Sequence, residues 1–231
     1  MSDWATNTNK GRASVSVTKQ EQLKSHLKEA CEKGHHKKAK ELSEALREQE
    51  YLFNDFFIER LLLKAAKKGK IEIVRLMIEL GAELNDSGVG FPLLDAAEEG
   101  HDEIVSMLIK AGADLNGGDH GNPLYRAIGR EQISSIRILI EAGANLNART
   151  KPLGIIPLSQ AAYIGNAEIM QLLIDAGIDL TAKSKIGPTP IEIAMEEGHH
   201  AIVSMIEMAM MTGSPSNLPP QETKKEQDGI L

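Results

Sequence analysis

Residues 92–116 read PLLDAAEEGHDEIVSMLIKAGADLN. Two phrases in this stretch return along the chain. The first, PLLDAAEEGH at 92–101, is echoed by PLYRAIGREQ at 123–132, PLSQAAYIGN at 157–166 and PIEIAMEEGH at 190–199. The second, IKAGADLN at 109–116, is echoed by IELGAELN at 78–85, IEAGANLN at 140–147 and IDAGIDLT at 174–181. Gly81, Gly112, Gly143 and Gly177 stand 31, 31 and 34 residues apart. A repeat of about 33 residues marks a stacked architecture, in which one helix pair buries its apolar face only against its neighbours.

Each recurring residue has a physical reason. Pro92, Pro123, Pro157 and Pro190 fall at helix starts, where the missing N–H has no intrahelical partner to lose. The pairs Ala96-Ala97 and Ala161-Ala162 let helices approach closely, and Gly100, Gly165 and Gly198 allow a tight turn into a second helix. That helix carries Ile104, Val105, Leu108 and Ile109 at helical spacing. Gly112 then ends it in a left-handed conformation that glycine adopts cheaply.

Working outward, two weaker copies lie upstream. LLLKAAKKGKIEIVRLMIELG at 61–81 keeps Ala65, Ala66 and Gly69 but has Leu61 in place of the proline. HLKEACEKGHHKKAKELSEAL at 26–46 keeps Ala30, Cys31, Gly34 and His35. Thr18 with Glu21 reads as a capping box opening this first helix. EQEYLFNDFF at 48–57 reads as an irregular join. The expected division is a disordered segment at 1–17, a repeat domain at 18–211 and a flexible tail at 212–231. Within the domain, 18–57 is an atypical capping pair; 58–88, 89–119, 120–153 and 154–186 are repeats; 187–211 is a C-terminal capping repeat. Six helix pairs follow, with short β-hairpin fingers between them.

This pattern resembles the ankyrin-repeat family, whose repeat runs Thr-Pro-Leu-His-x-Ala-Ala-x-x-Gly-His, then an amphipathic helix, then Gly-Ala-Asp-Val-Asn. The likeness covers residues 58–211 and, more weakly, the chain from 20. The Thr-Pro-Leu-His phrase is degraded: Leu94, Tyr125, Ser159 and Glu192 replace the histidine, and only Thr189 keeps the threonine. The resemblance implies an all-α solenoid that binds another protein through its fingers and the exposed positions of its first helices.

Carried over position by position, the resemblance offers Lys67, Lys68, Glu98, Glu99, Glu196 and Glu197 as partner-binding residues. Tyr163 and Ile164 form an apolar pair at the same position, with Tyr125, Arg126 and Arg130 one repeat away and Leu153 in a long finger at 148–156. Tyr and Arg are favoured hot-spot residues, so a site centred on Arg130, Tyr163, Ile164 and this finger is one reading. Packing of Ile164 against a neighbouring repeat is the other. The resemblance also implies Asn116 as a hydroxylation site, because Leu108, Asp114 and Asn116 match the Leu-x-x-x-x-x-Asp-x-Asn context.

Composition excludes other classes. Net charge is −7, whereas a general nucleic-acid binder needs a basic face. One cysteine, Cys31, precludes an internal disulfide, and its place among packed alanines marks a small buried residue. No apolar run reaches the ~18 residues of a membrane span, and the polar start lacks a secretory h-region. No phosphate loop or nucleophile elbow occurs. The adjacent pairs His35-His36 and His199-His200 diverge by about 100° on a helix and so do not chelate one metal.

The expectation is therefore a non-catalytic scaffold, adaptor or inhibitor. It needs no cofactor or metal, is monomeric and cytoplasmic, and acts on a partner protein. Two alternatives are a bacterial effector delivered into a host cell, suggested by the tail with Glu222, Glu226, Asp228, Ile230 and Leu231, and self-association through Met205, Met208, Met210 and Met211.

Overall fold

The computed structural model describes residues 5–48, 56–85, 90–117, 121–150, 154–185 and 187–212. The described residues form twelve helices in six pairs and contain no strand. The pairs are α1 (Ala5–Lys33) with α2 (His36–Glu48), α3 (Phe57–Lys67) with α4 (Ile71–Glu79), and α5 (Pro92–Glu98) with α6 (Asp102–Lys110). There follow α7 (Pro123–Gly129) with α8 (Ile133–Glu141), α9 (Pro157–Ile164) with α10 (Ala167–Asp175), and α11 (Pro190–Glu196) with α12 (His200–Thr212). No described helix is long and apolar enough to cross a membrane.

The chain divides into two compact units, Met1–Ala144 and Asn145–Leu231. In the first, α1, α3, α5 and α7 pack in succession as one layer, and α2, α4, α6 and α8 as the other. In the second, α9 packs on α11 and α10 on α12. The cores follow the repeat: Leu93, Ala96, Ala97, Ile104, Val105 and Leu108 are fully buried in one repeat, and Leu158, Ala162, Ile169, Met170 and Leu173 in another. With so few aromatic residues, closely approaching alanines and branched aliphatics supply the packing.

The prolines expected at helix starts occupy the first turns of α5, α7, α9 and α11. The glycines that close the second helices, Gly81, Gly112, Gly143 and Gly177, all have φ between 79° and 95°. Helix α1 begins at Ala5, where no structure is expected before residue 18, so position 18 lies within it and not at its start. Extending an anchored helix backwards costs only propagation, and residues 5–17 contain no proline to stop it. Among the described residues a capping box forms at Thr189 with Glu192, at the start of α11. The Thr189 N–H and hydroxyl both donate to the Glu192 carboxylate, at 2.7 and 2.8 Å, and hold it below the usual carboxylate range. The join at 49–55, Leu153 in the long finger and the tail from 213 lie outside the described residues.

What fastens successive repeats is a bond that leans back across the turn. The His101 Nε2–H donates to the Lys67 carbonyl at 3.1 Å, and the His199 Nε2–H to the Tyr163 carbonyl at 3.1 Å. Gln132 does the same to the Glu98 carbonyl at 3.3 Å. Each acceptor lies two residues before the turn position of the preceding repeat. The donor side chain therefore lies over that turn glycine, which must lack a β-carbon for two reasons. At Gly165 φ is 76°, and a β-carbon would also fall 2.5 Å from the His199 ring. At Gly198 φ is 77°, but a β-carbon would meet nothing within 4 Å. At the equivalent place between α7 and α8 the chain has Glu131, which holds φ 54° without being glycine. Gly198→Ala should cost about 1 kcal/mol for the backbone alone, and Gly165→Ala about 2–3 kcal/mol because the ring must also move off its carbonyl. Equal losses in denaturant titration would show that the ring does not restrain this turn.

Candidate functional site

In the first unit, three of the six charged residues expected to face a partner, Glu98, Arg126 and Arg130, face each other instead. Glu32 pairs with Lys64 at 2.6 Å. Glu98 accepts from Arg130 Nη2 at 3.1 Å and Nε at 3.2 Å, and Arg126 lies 3.8 Å from its other oxygen. The register is the same in both cases: the carboxylate lies two residues before its turn, and Lys64 and Arg126 lie five before the next. The Glu98 side chain is only 17% exposed as a result. Exposed pairs of this kind contribute about 0–1 kcal/mol each, so they fix register more than they stabilise.

Lys67, Lys68 and Glu99 remain exposed. Asp95 is half-buried below them, and burial raises its carboxyl above the usual range despite the opposing charge of Lys67. Tyr125 is half-buried, and its backbone N–H donates to the Asn122 side chain at the start of α7. The turn residue Asn116 is exposed, with its N–H donating to the Asp114 carboxylate at 2.9 Å.

The second unit contains a groove of about 400 Å³ along the face that α9 and α11 build. Its floor is Ser159 and Ser184, both buried and hydrogen-bonded to each other at 3.0 Å. Each of these hydroxyls thus has one partner already. Ile155, Pro188 and Ile193 wall it, and Tyr163, 57% exposed, forms one side. Glu196 and Glu197 close the far end, and both are exposed.

The finger beside the groove is braced from within the same unit. Thr150 and Ile155 close its loop through a 2.9 Å backbone bond, and Lys185 N–H reaches the Gly154 carbonyl at 3.2 Å. Arg149 Nη1 donates to the Lys183 carbonyl at 2.8 Å. The partly apolar walls are therefore set on restrained backbone.

The structure brings Tyr163, Glu196 and Glu197 to one groove and leaves Ile164 out of it. Ile164 is half-buried and does not line the groove. Arg126 and Arg130 belong to the first unit and Tyr163 to the second. The residues that sequence reasoning missed, Ser159, Gln160 and Ile193, lie three or four positions from Tyr163 or Glu197. Helical spacing, not adjacency, was the signal that could have found them.

No three His, Cys, Asp or Glu side chains among the described residues group to hold a metal ion. Cys31 is buried, and burial, with a smaller contribution from Glu32, pushes its thiol up to about 12. Compared with known families, the chain matches a model described as ankyrin repeats in three copies, over residues 27–119, 62–150 and 124–209. No curated protein matches it. Because only the thiolate reacts, Cys31 should resist iodoacetamide at pH 8 in the folded chain and react fully once unfolded. Native labelling at the rate of an exposed thiol would contradict its burial.

Proposed function

The chain belongs to the ankyrin-repeat family, and on that footing we propose that it is a non-catalytic protein-binding module whose partner sits in the groove between α9 and α11. Ankyrin repeats generally mediate protein–protein interaction. The observation that supports this groove as the site is the exposed Tyr163 ring beside Ile155, Pro188 and Ile193, over a floor of two serine hydroxyls bonded to each other. A large amphipathic ring on a preformed apolar wall is the setting in which interface hot spots occur. Within the first unit taken by itself, Lys67, Lys68 and Glu99 are the remaining candidates for partner contact, while Glu98, Arg126 and Arg130 act first on one another.

A second reading rests on a separate observation. Met208 is 64% and Met211 85% exposed on α12, and Met195 is 52% exposed on α11. Methionine-rich faces adapt to many surfaces, so self-association through this end is the alternative activity.

Affinity purification from cell lysates, with Tyr163→Ala run beside the wild type, tests the first reading. A partner held by the wild type should be recovered about tenfold less by the folded variant; equal recovery would remove the groove from the interface. Sedimentation velocity tests the second. Concentration-dependent dimer that disappears in Met208→Lys/Met211→Lys supports it, and a single monomeric species at every concentration rejects it.

A further inference from the structure

The repeats themselves show what binds a carboxylate placed two residues before a turn glycine. Glu32, before Gly34, holds Lys64 of the next repeat, and Glu98, before Gly100, holds Arg126 and Arg130. Glu196 occupies the same position before Gly198. It lies on α11, in the last described helix pair, and among the described residues no cation lies within ion-pair distance of Glu196 or Glu197. The last turns of α9 and α11 contain no basic residue either. Two adjacent carboxylates at a helix C-terminus add to the negative end of its dipole. The fold therefore places, at one end of an apolar groove, a carboxylate whose counterparts elsewhere in the same chain are met by lysine and arginine.

The turn beside it is open in the same sense. At Gly69, Gly100 and Gly165 the following side chain covers the turn glycine and bonds to the carbonyl two residues earlier. At Gly198 nothing lies within 4 Å of where a β-carbon would be. Basic side chains of this unit gather at the opposite, finger end: Lys183 and Lys185 are exposed there, with Arg149 bonded to the Lys183 and Gly154 carbonyls. These cations do not line the groove, and Glu192 lies near Lys183; the charged residues of the groove lining are Glu196 and Glu197, so its charge is at one end, which orients a bound segment as well as attracting it.

We propose that this groove takes an extended peptide segment of a partner, with a large aliphatic or aromatic side chain against Tyr163 and Ile193 and, within a few residues, an arginine or lysine over Glu196 and Glu197. The inference rests on the groove being the partner site. It adds the chemistry of the occupant: the partner supplies the cation that Lys64 and Arg130 supply between repeats. The apolar residue gives most of the affinity and the basic residue gives register and orientation.

A random peptide library displayed on phage, selected on the full chain with counter-selection on Tyr163→Ala, identifies the occupant class. Fluorescence anisotropy of the selected peptides then measures the charge dependence against Glu196→Lys/Glu197→Lys. Both glutamates are exposed, and lysines at a helix C-terminus favour the helix, so this variant should fold; circular dichroism checks that it does. The expected peptides pair a large apolar residue with arginine or lysine, and lose about tenfold or more in affinity in the charge-reversed variant. Peptides that need Tyr163 but bind the charge-reversed variant equally would leave the groove as the site and overturn the basic occupant. Peptides indifferent to both changes, or no enrichment over the counter-selection, would overturn the inference and the groove together.

Discussion

One kind of bond recurs at three of the described turns and ties each to the helix pair that follows. A histidine or glutamine at the start of a second helix reaches back over the preceding turn to a backbone carbonyl, from His101 to Lys67, Gln132 to Glu98 and His199 to Tyr163. Its individual contribution is modest, about 1 kcal/mol. Its geometric consequence is larger, because the donor must lie over a turn without a side chain. Glycine is therefore required there by the neighbour above as well as by its own φ. The apolar layers then stack in register, and the first helices of each unit present their remaining positions along one face.

That register decides which charges are available. Within the first unit it carries Arg126 and Arg130 to Glu98, and Lys64 to Glu32, so side chains that look like a recognition surface are part of the staple between repeats. In the second unit the same register leaves Glu196 and Glu197 without a cation among the described residues, at the end of an apolar groove. Function enters where the repeat pattern stops satisfying itself.

The period, the helix pairs, the prolines at helix starts and the left-handed glycines were legible in the sequence, because each follows from a local backbone requirement that only one or two residue types meet. Cap assignment was less legible. Thr18-x-x-Glu21 and Thr189-x-x-Glu192 have the same form, but the first lies inside a continuous helix whereas the second stands at a helix start and closes as a capping box. Capping depends on where the helix begins, which the pattern alone does not set. The site was half legible. Tyr163, Glu196 and Glu197 stood out as unusual residues at a surface position, whereas Ser159 and Ser184, in different segments, come together only through folding. Pairing of Glu98 with Arg126 and Arg130 was invisible for the same reason: residues nearly a full repeat apart meet only once the register is fixed.

The central claim is that the α9–α11 face of the second unit is where this protein meets its partner. The most direct measurement is photocrosslinking in living cells, with a photoreactive amino acid placed at Tyr163 in one version of the chain and at Gln171, exposed on α10, in another. A discrete adduct formed from position 163 and not from position 171 is the predicted result. Adducts from position 171 alone, or the same adduct equally from both, would contradict it and move the interface to another face.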